Sequence, residues 1–356
     1  MLEKDKTTKK WRARIFFKGR QITMQTFEFK KDAAKWEADQ KLALASNEWH
    51  DARAGDITLA AVIREFNEAR TGTVSDKTLD TDEANLRLHI PEKMRRMPIR
   101  AVQTAELKSL YTALLRKRAH STVKRIRDST MSLFNYAVDM AYIPHNPVKD
   151  VPVPRGDGRS DKTVRPFTKD EYEDMLAAQR ERSPRYADYV EFLRETGLRW
   201  GELVALRVGD VVHEPFDAII VRRSQSDGYA EKQTKSGRVR RVPLLGNAAE
   251  IAARYAQGRK RTERLFTSPT GAQLNGGNFK RALDWAATAH GHREYDLRHY
   301  AATSWLRDNV DIKTVSAWLG HATTQLTLDT YSHYMGSDAD GAAIERVRRA
   351  RATAGA

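Results

Sequence analysis

The chain has 356 residues, 31% of them charged and 40% hydrophobic, a balance that suits two or three globular domains. It contains no cysteine, which excludes disulfides, thiolate metal sites and a cysteine nucleophile, and no apolar run approaches the roughly 20 residues of a membrane span. Its formal net charge is +15, from 62 Lys and Arg against 47 Asp and Glu, which points to a polyanionic partner, most simply nucleic acid.

The chain starts MLEKDKTTKKWRAR, which is basic but lacks the apolar segment of a secretory signal; with the missing cysteines this suits a reducing cytoplasm. Residues 1–56 read as a small module. In KKWRARIFFKGRQITMQTFEFK, Lys9, Lys10, Arg12, Arg14, Lys18 and Arg20 interleave with Trp11, Ile15, Phe16, Phe17, Phe27 and Phe29, and Lys18-Gly19-Arg20 reads as a turn between two strands. The run KKDAAKWEADQKLALASNEW that follows predicts a helix. Basic strands of this kind suit a DNA groove, although a solvated basic hairpin has the same pattern.

Residues 57–148 read as wholly helical. Thr58 caps a helix whose Leu59, Val62, Ile63 and Phe66 share one face, and Thr104 is placed to cap the next. In HSTVKRIRDSTMSLFNYAVDMAYI, a stripe through Val123, Ile126, Thr130, Leu133, Phe134, Ala137 and Val138 predicts the buried face. Lys124, Arg125 and Arg127 fall off that stripe and should face outward; with Lys117 and Arg118 they are candidate phosphate contacts. Residues 149–166, rich in Pro, Gly and charge, read as a linker.

Residues 167–356 form the largest expected domain. Thr168 and Glu171 make a capping box, a helix over 185–196 ends at Gly197, and DAIIVRR and GRVRRVPL read as strands with KQTKSGR between them. Several helices follow, the last being the weakly amphipathic DADGAAIERVRRARA.

Four stretches could carry chemistry. In TGLRWGEL, Arg199 follows a glycine turn at a helix start, where its rigid fork can address an anion. In TKSGR, Lys235 precedes Ser236-Gly237, which reads as a hairpin turn, and a lysine ammonium there is tunable as a proton donor. In EYDLRHYAAT, Tyr295 and Arg298 lie three apart on one helix face, with His299 adjacent but directed elsewhere. In LGHATTQLTLDTYSHY, His321 follows a helix that Gly320 ends, and Tyr331 and Tyr334 lie on the next helix, expected from Thr323 onward. Alone, each stretch has an ordinary structural explanation. His290 and His292 lack the partners of a metal site and read as surface residues.

Together the four stretches resemble the tyrosine recombinase (phage integrase) family. Its order is an arginine, a hairpin lysine, His-x-x-Arg, the histidine of a Leu-Gly-His turn and a nucleophilic tyrosine, here Arg199, Lys235, Tyr295 with Arg298, His321 and Tyr331. The resemblance covers 167–335 most strongly; 57–148 looks like the family's core-binding domain, and 1–56 like the arm-binding module of integrases related to that of phage lambda. It implies a mainly α protein with small β parts: a sheet-plus-helix arm module, an all-α (SAM-like) core-binding domain and a mixed α/β catalytic domain. One position departs, since the family usually has His where this chain has Tyr295. A phenol can donate a hydrogen bond to a phosphate oxygen but cannot readily take a proton, so Tyr295 is expected as a phosphate ligand. Tyr331, ten residues after His321, fits the family's spacing better than Tyr334.

The resemblance implies a site-specific recombinase that cleaves DNA through a 3′-phosphotyrosine and rejoins it, integrating or excising a phage or mobile element. Arg199, Arg298 and His321 would hold the phosphoryl oxygens and Lys235 would protonate the leaving 5′-oxygen. Such chemistry needs no ATP, metal or other cofactor. The implied partners are double-stranded DNA at core-type and arm-type sites, three further copies of the chain, a DNA-bending host factor and an excision factor, all at a bacterial nucleoid. The alternatives are a type IB topoisomerase-like enzyme, an Xer-type resolvase and a DNA-binding regulator without catalysis. Residues 1–56 weigh against the first two, and the full set of charged partners around Tyr331 against the third.

Overall fold

The computed structural model describes residues 2–5, 7–17, 20–45, 54–154, 165–233, 239–331 and, near the C-terminus, 344, 348 and 351. The chain divides into two compact units, Met1–Asp161 and Lys162–Ala356.

The first unit opens with a three-stranded antiparallel sheet, β1 (Leu2–Lys4), β2 (Trp11–Phe17) and β3 (Arg20–Phe27), in that order, with helix α1 (Lys30–Ala45) after it. The two-residue period of β2 turns Ala13 and Ile15 inward, where they are buried along with Ala33 of α1, and Phe27 meets Trp36 with ring centroids 5.8 Å apart. Arg12 and Arg14 occupy the opposite face, and β1 supplies a counter-charge there: Asp5 beside it pairs with Arg12, and Glu3 lies 3.2 Å from Arg14. The sequence hid β1, because three residues with one apolar side chain give no strand period. Lys9 and Lys10 are exposed, whereas Lys18 and the side chain of Arg20 lie outside the described residues.

Among the described residues of this unit the α-helices α2 (Leu59–Arg70), α3 (Asp76–His89), α4 (Glu92–Arg95), α5 (Thr104–Leu115) and α6 (His120–Asp139) follow. The Thr58 hydroxyl accepts from Ala61 N, as a cap should. The cap of α5 is one residue earlier than expected. Gln103, not Thr104, holds that place, because Glu106 reaches back to accept its backbone N–H at 2.9 Å. Val123, Ile126, Thr130, Leu133, Phe134 and Ala137 of α6 are all buried, so the predicted stripe is the packed one. Lys117, Arg118, Lys124 and Arg125 are exposed.

Arg127 does not face outward as expected. Its guanidinium folds back to donate to the carbonyls of Val151 at 2.7 Å and Val148 at 3.2 Å, tying the chain after α6 onto that helix. A long side chain just off an apolar stripe can bend over it, which periodicity alone does not reveal.

The second unit begins with α7 (Lys169–Arg182), capped by the Thr168–Glu171 box, then α8 (Pro184–Thr196) and α9 (Trp200–Ala205). Strands β4 (Val211–Val212), β5 (Ala218–Val221) and β8 (Arg240–Pro243) form one antiparallel sheet in the order β4-β5-β8, and β6 (Arg223–Ser224) pairs with β7 (Lys232–Gln233) in a separate ribbon. The expected strand DAIIVRR is thus divided at Arg222 between two sheets. The helices α10 (Ala248–Ala256), α11 (Gly276–Ala282), α12 (Trp285–Thr288), α13 (Asp296–Arg307), α14 (Ile312–Leu319) and α15 (Thr324–Tyr331) follow. Of the expected final helix, only Ile344, Arg348 and Arg351 are described, and each is helical.

The core of this unit surrounds α8, whose Tyr189, Phe192 and Leu193 are buried together with Phe266, Ile219 of β5 and Val242 of β8. His292 is part of this interior rather than a surface residue. Its ring stacks on Phe167 at 3.9 Å, Nε2 is 3.4 Å from Glu171 and Nδ1 is 3.9 Å from Asp296, so its polar atoms have acidic neighbours inside the fold. Among the described residues no helix is long and apolar enough to cross a membrane, and no cluster of His, Asp and Glu is arranged to hold a metal.

Candidate active site

Two helix endings build the site. Helix α8 closes at Gly197 and α14 at Gly320, both in the left-handed region at φ 59° and 67°. At Gly197 a Cβ would sit 2.9 Å from the Trp305 ring, and at Gly320 equally close to the Arg240 side chain, so both turns are closed to larger residues on space as well as on φ.

Arg298, on the first turn of α13, bridges these endings. It is 1% exposed and donates from Nη1 to Gly197 O at 2.7 Å and from Nη2 to Leu319 O at 2.5 Å. Helix C-termini carry partial negative charge, so the buried guanidinium lies between two favourable dipole ends. Burial, and then repulsion from Arg199, lowers its pKa to about 10, which leaves it cationic at neutral pH.

Arg199 stands at the start of α9 with its side chain 39% exposed, and reaches Glu202 Oε1 at 3.0 Å and Leu319 O at 3.5 Å. Arg240, from β8, donates to Trp318 O at 2.8 Å and to both oxygens of Glu202 at 2.9 and 2.6 Å. Three arginines therefore meet around the end of α14, and buried Glu202 is the carboxylate among them. Burial opposes its ionisation, but the hydrogen bonds and charge of Arg240, with the charge of Arg199, outweigh this and bring its pKa down to about 2. A depressed carboxylate pKa gives stability that is present above the unfolded value of about 4.3 and lost as pH falls toward the folded one; here it amounts to about 3 kcal/mol. Glu202→Gln should therefore lower the unfolding free energy at pH 7 by about 3–5 kcal/mol, since it leaves clustered guanidinium groups without their counter-ion. Urea titrations at a series of pH values should show the gap between variant and parent narrowing from pH 5 to pH 2.

His321 lies just past α14, its N–H returned to Ser316 O at 3.0 Å, which fixes the turn. Its Nδ1 is 2.7 Å from Thr327 Oγ1. Burial, and then the charges of Arg298, Arg199 and Arg240, push its pKa to about 4, so it is neutral at physiological pH. Tyr331 ends the described part of α15 and is 1% exposed, and its phenol lies 2.7 Å from Nδ1 of His299. Tyr295 precedes α13 at the surface, 42% exposed, its ring 5.1 Å from that of His299.

Of the six expected site residues, Arg199, Arg298 and His321 gather at the end of α14, and Tyr331 joins them through His299. Tyr295 lies at the exposed edge, not in a core. Lys235 and Tyr334 lie outside the described residues. The sequence overlooked Glu202, Arg240 and His299. Glu202 left a signal, an acid three residues after a helix-starting Arg199, whereas Arg240 and His299 join the site only through tertiary contacts.

The comparisons with known proteins agree with this architecture. The phage integrase family model matches residues 165–336, and the phage integrase central domain model matches 59–152. The integrase of Mycobacterium phage L5 is 26% identical over 346 residues, covering 91% of this chain and 90% of that protein. The Tn1549 transposon integrase in complex with a circular intermediate DNA shares the fold at TM-score 0.67 and 21% identity, over 82% of this chain and 99% of that one. The lambda integrase tetramer bound to a Holliday junction does so at TM-score 0.60 and 18% identity, over 91% and 96%. The chain is thus an enzyme of the tyrosine site-specific recombinase class. It belongs to the phage integrase family.

Proposed function

We propose that this recombinase integrates and excises the DNA of a phage or other mobile element, with Tyr331 as nucleophile. The observation that carries the proposal is the meeting of Arg298, Arg199 and His321 at the end of α14, with the Tyr331 phenol hydrogen-bonded to His299, the chain neighbour of Arg298. A phosphodiester repels nucleophiles, and attack adds charge to its non-bridging oxygens. Arg199, which is partly open to solvent, and the neutral donor His321 would meet that charge, with buried Arg298 behind them. Tyr295 would donate a hydrogen bond from the exposed edge. Lys235 is kept as the acid that protonates the leaving 5′-oxygen, the role the family resemblance implies. The 3′-phosphotyrosine conserves the bond energy, so a 5′-hydroxyl of a second duplex reverses the step without ATP or metal.

In this proposal residues 1–56 bind arm-type DNA, 57–148 bind core-type DNA, 149–166 link them to the catalytic part at 167–356, and Lys9, Lys10, Arg12, Arg14, Lys117, Arg118, Lys124 and Arg125 contact phosphates. Each such contact adds to the salt dependence of binding. The match to the phage L5 integrase runs over 91% of the chain and so supports a role for the N-terminal module. The lambda tetramer is the precedent for four copies on DNA. A DNA-bending host factor and an excision factor would set direction, at the bacterial nucleoid.

The test uses a duplex nicked beside the scissile phosphate, so that the released end diffuses away and the covalent adduct accumulates. With chelator present and ATP absent, the adduct is expected, and peptide mapping should place the nucleotide on Tyr331. An adduct on Tyr334 or on any other residue would overturn the assignment.

A further inference from the structure

Resting on the reading of Tyr331 as nucleophile, we propose that Nδ1 of His299 accepts the proton of the Tyr331 phenol during strand cleavage. The need for an acceptor is plain: an unperturbed phenol has a pKa of about 10, so only about one in a thousand is ionised at neutral pH. The position where the family usually has His holds Tyr295 here, and a phenol cannot take this proton. Nδ1 of the other nearby imidazole, His321, is engaged with Thr327. His299 Nδ1, by contrast, lies 2.7 Å from the Tyr331 oxygen, within the distance over which a positioned base works.

Packing holds this contact in place. Both side chains are buried, and the His299 ring sits between Tyr295 at 5.1 Å and Tyr331 at 5.6 Å, edge-on to each. The groups facing His299 are Arg293, Asp296 and Arg298 from its own stretch of chain, Tyr295 before it, Tyr331 from α15 and His321 beyond α14. Burial dominates, with Arg298 and Arg293 adding to it and Asp296 opposing, so His299 titrates at about 4 and is neutral where the enzyme works. A neutral imidazole protonated on Nε2 presents its Nδ1 lone pair to the phenol.

The proton balance closes. The Tyr331 O–H proton moves to Nδ1 as the O–P bond forms. The bond from phosphorus to the 5′-oxygen breaks, and the leaving oxygen takes its proton from Lys235. In rejoining, the neutral lysine takes a proton from the attacking 5′-hydroxyl, and the departing phenolate recovers its own from His299.

The test measures single-turnover cleavage of the nicked duplex by the full chain. His299→Gln keeps a polar group beside the phenol but cannot take a proton. It should cleave roughly 10²–10⁴-fold more slowly at pH 7, with a rate that climbs about tenfold per pH unit. Placing 3,5-difluorotyrosine at position 331, whose fluorines make the phenol acidic enough for a large fraction to be ionised at neutral pH, should restore the variant to within about tenfold of the parent. A merely structural histidine would give a loss that neither pH nor the ionised nucleophile repairs, and that result, or a parental rate and profile in His299→Gln, overturns the proposal. If the variant does not fold, the parent decides: a rate level from about pH 5 to 9 supports the proposal, and a rise of about tenfold per unit across that range overturns it. Adduct formation that survives in Tyr331→Phe would instead remove the nucleophile reading beneath it.

Discussion

Tyr331→Phe should bind core-site DNA as tightly as the parent and form no covalent adduct. With Tyr331 as the proposed nucleophile, phenylalanine has no oxygen to attack with, so the loss of cleavage should be on the order of 10⁶-fold, the scale seen when an enzyme loses its hydroxyl nucleophile. Binding should persist because affinity comes from many phosphate contacts, to which one buried phenol contributes little. The substitution also leaves His299 Nδ1 without its 2.7 Å partner, which should cost about 1–3 kcal/mol of stability. Thermal melting and gel-shift titration of the same preparation separate these effects. Cleavage at a measurable fraction of the parental rate would contradict the assignment.

The second large effect is expected at Arg298. Arg298→Ala removes the fork that joins Gly197 O to Leu319 O and leaves two carbonyls in the interior without these donors, at about 1–3 kcal/mol each. On the proposed function it also removes one of the cations that would meet the phosphate, so cleavage should fall at least about 10²–10³-fold. Arg298→Lys discriminates between the two losses. An ammonium retains the charge but is a point rather than a fork, so it can satisfy one helix end and not hold both. The lysine variant should therefore regain part of the melting temperature while staying far below the parent in cleavage. Recovery of both to parental levels would show that charge alone is needed there.

The helix starts and stops at Thr58, Thr168, Gly197 and Gly320 were legible because each depends on residues within four positions of the cap. Arg199, Arg298, His321 and Tyr331 stood out for a different reason, the motif order that resembles the tyrosine recombinase family, and the structure brings Arg199, Arg298 and His321 together at the end of α14. Contacts that cross the fold were not legible. Helical arithmetic turns His299 away from Arg298, and that was sound as far as it went, but α15 approaches from the side to which His299 points. Arg240 joins the site because β8 runs past the end of α14, a tertiary fact without a local signature. His292 and Arg127 were misjudged for a shared reason. Polar type and position predicted the surface, whereas each found partners far along the chain, Glu171 for one and the carbonyls of Val148 and Val151 for the other.

That Arg298 is held by the carbonyl of Gly197, which caps α8, and by the last carbonyl of α14 makes the lengths of those two helices, rather than the loops after them, the gauge of the site. One residue added inside either helix would swing its terminal oxygen about 100° around the axis and advance it by about 1.5 Å, so the guanidinium would lose its seat although no contacting residue had changed. Descendants of this sequence are free to vary their surface connections, but a change in register within 184–196 or 312–319 would disarm the enzyme at a distance.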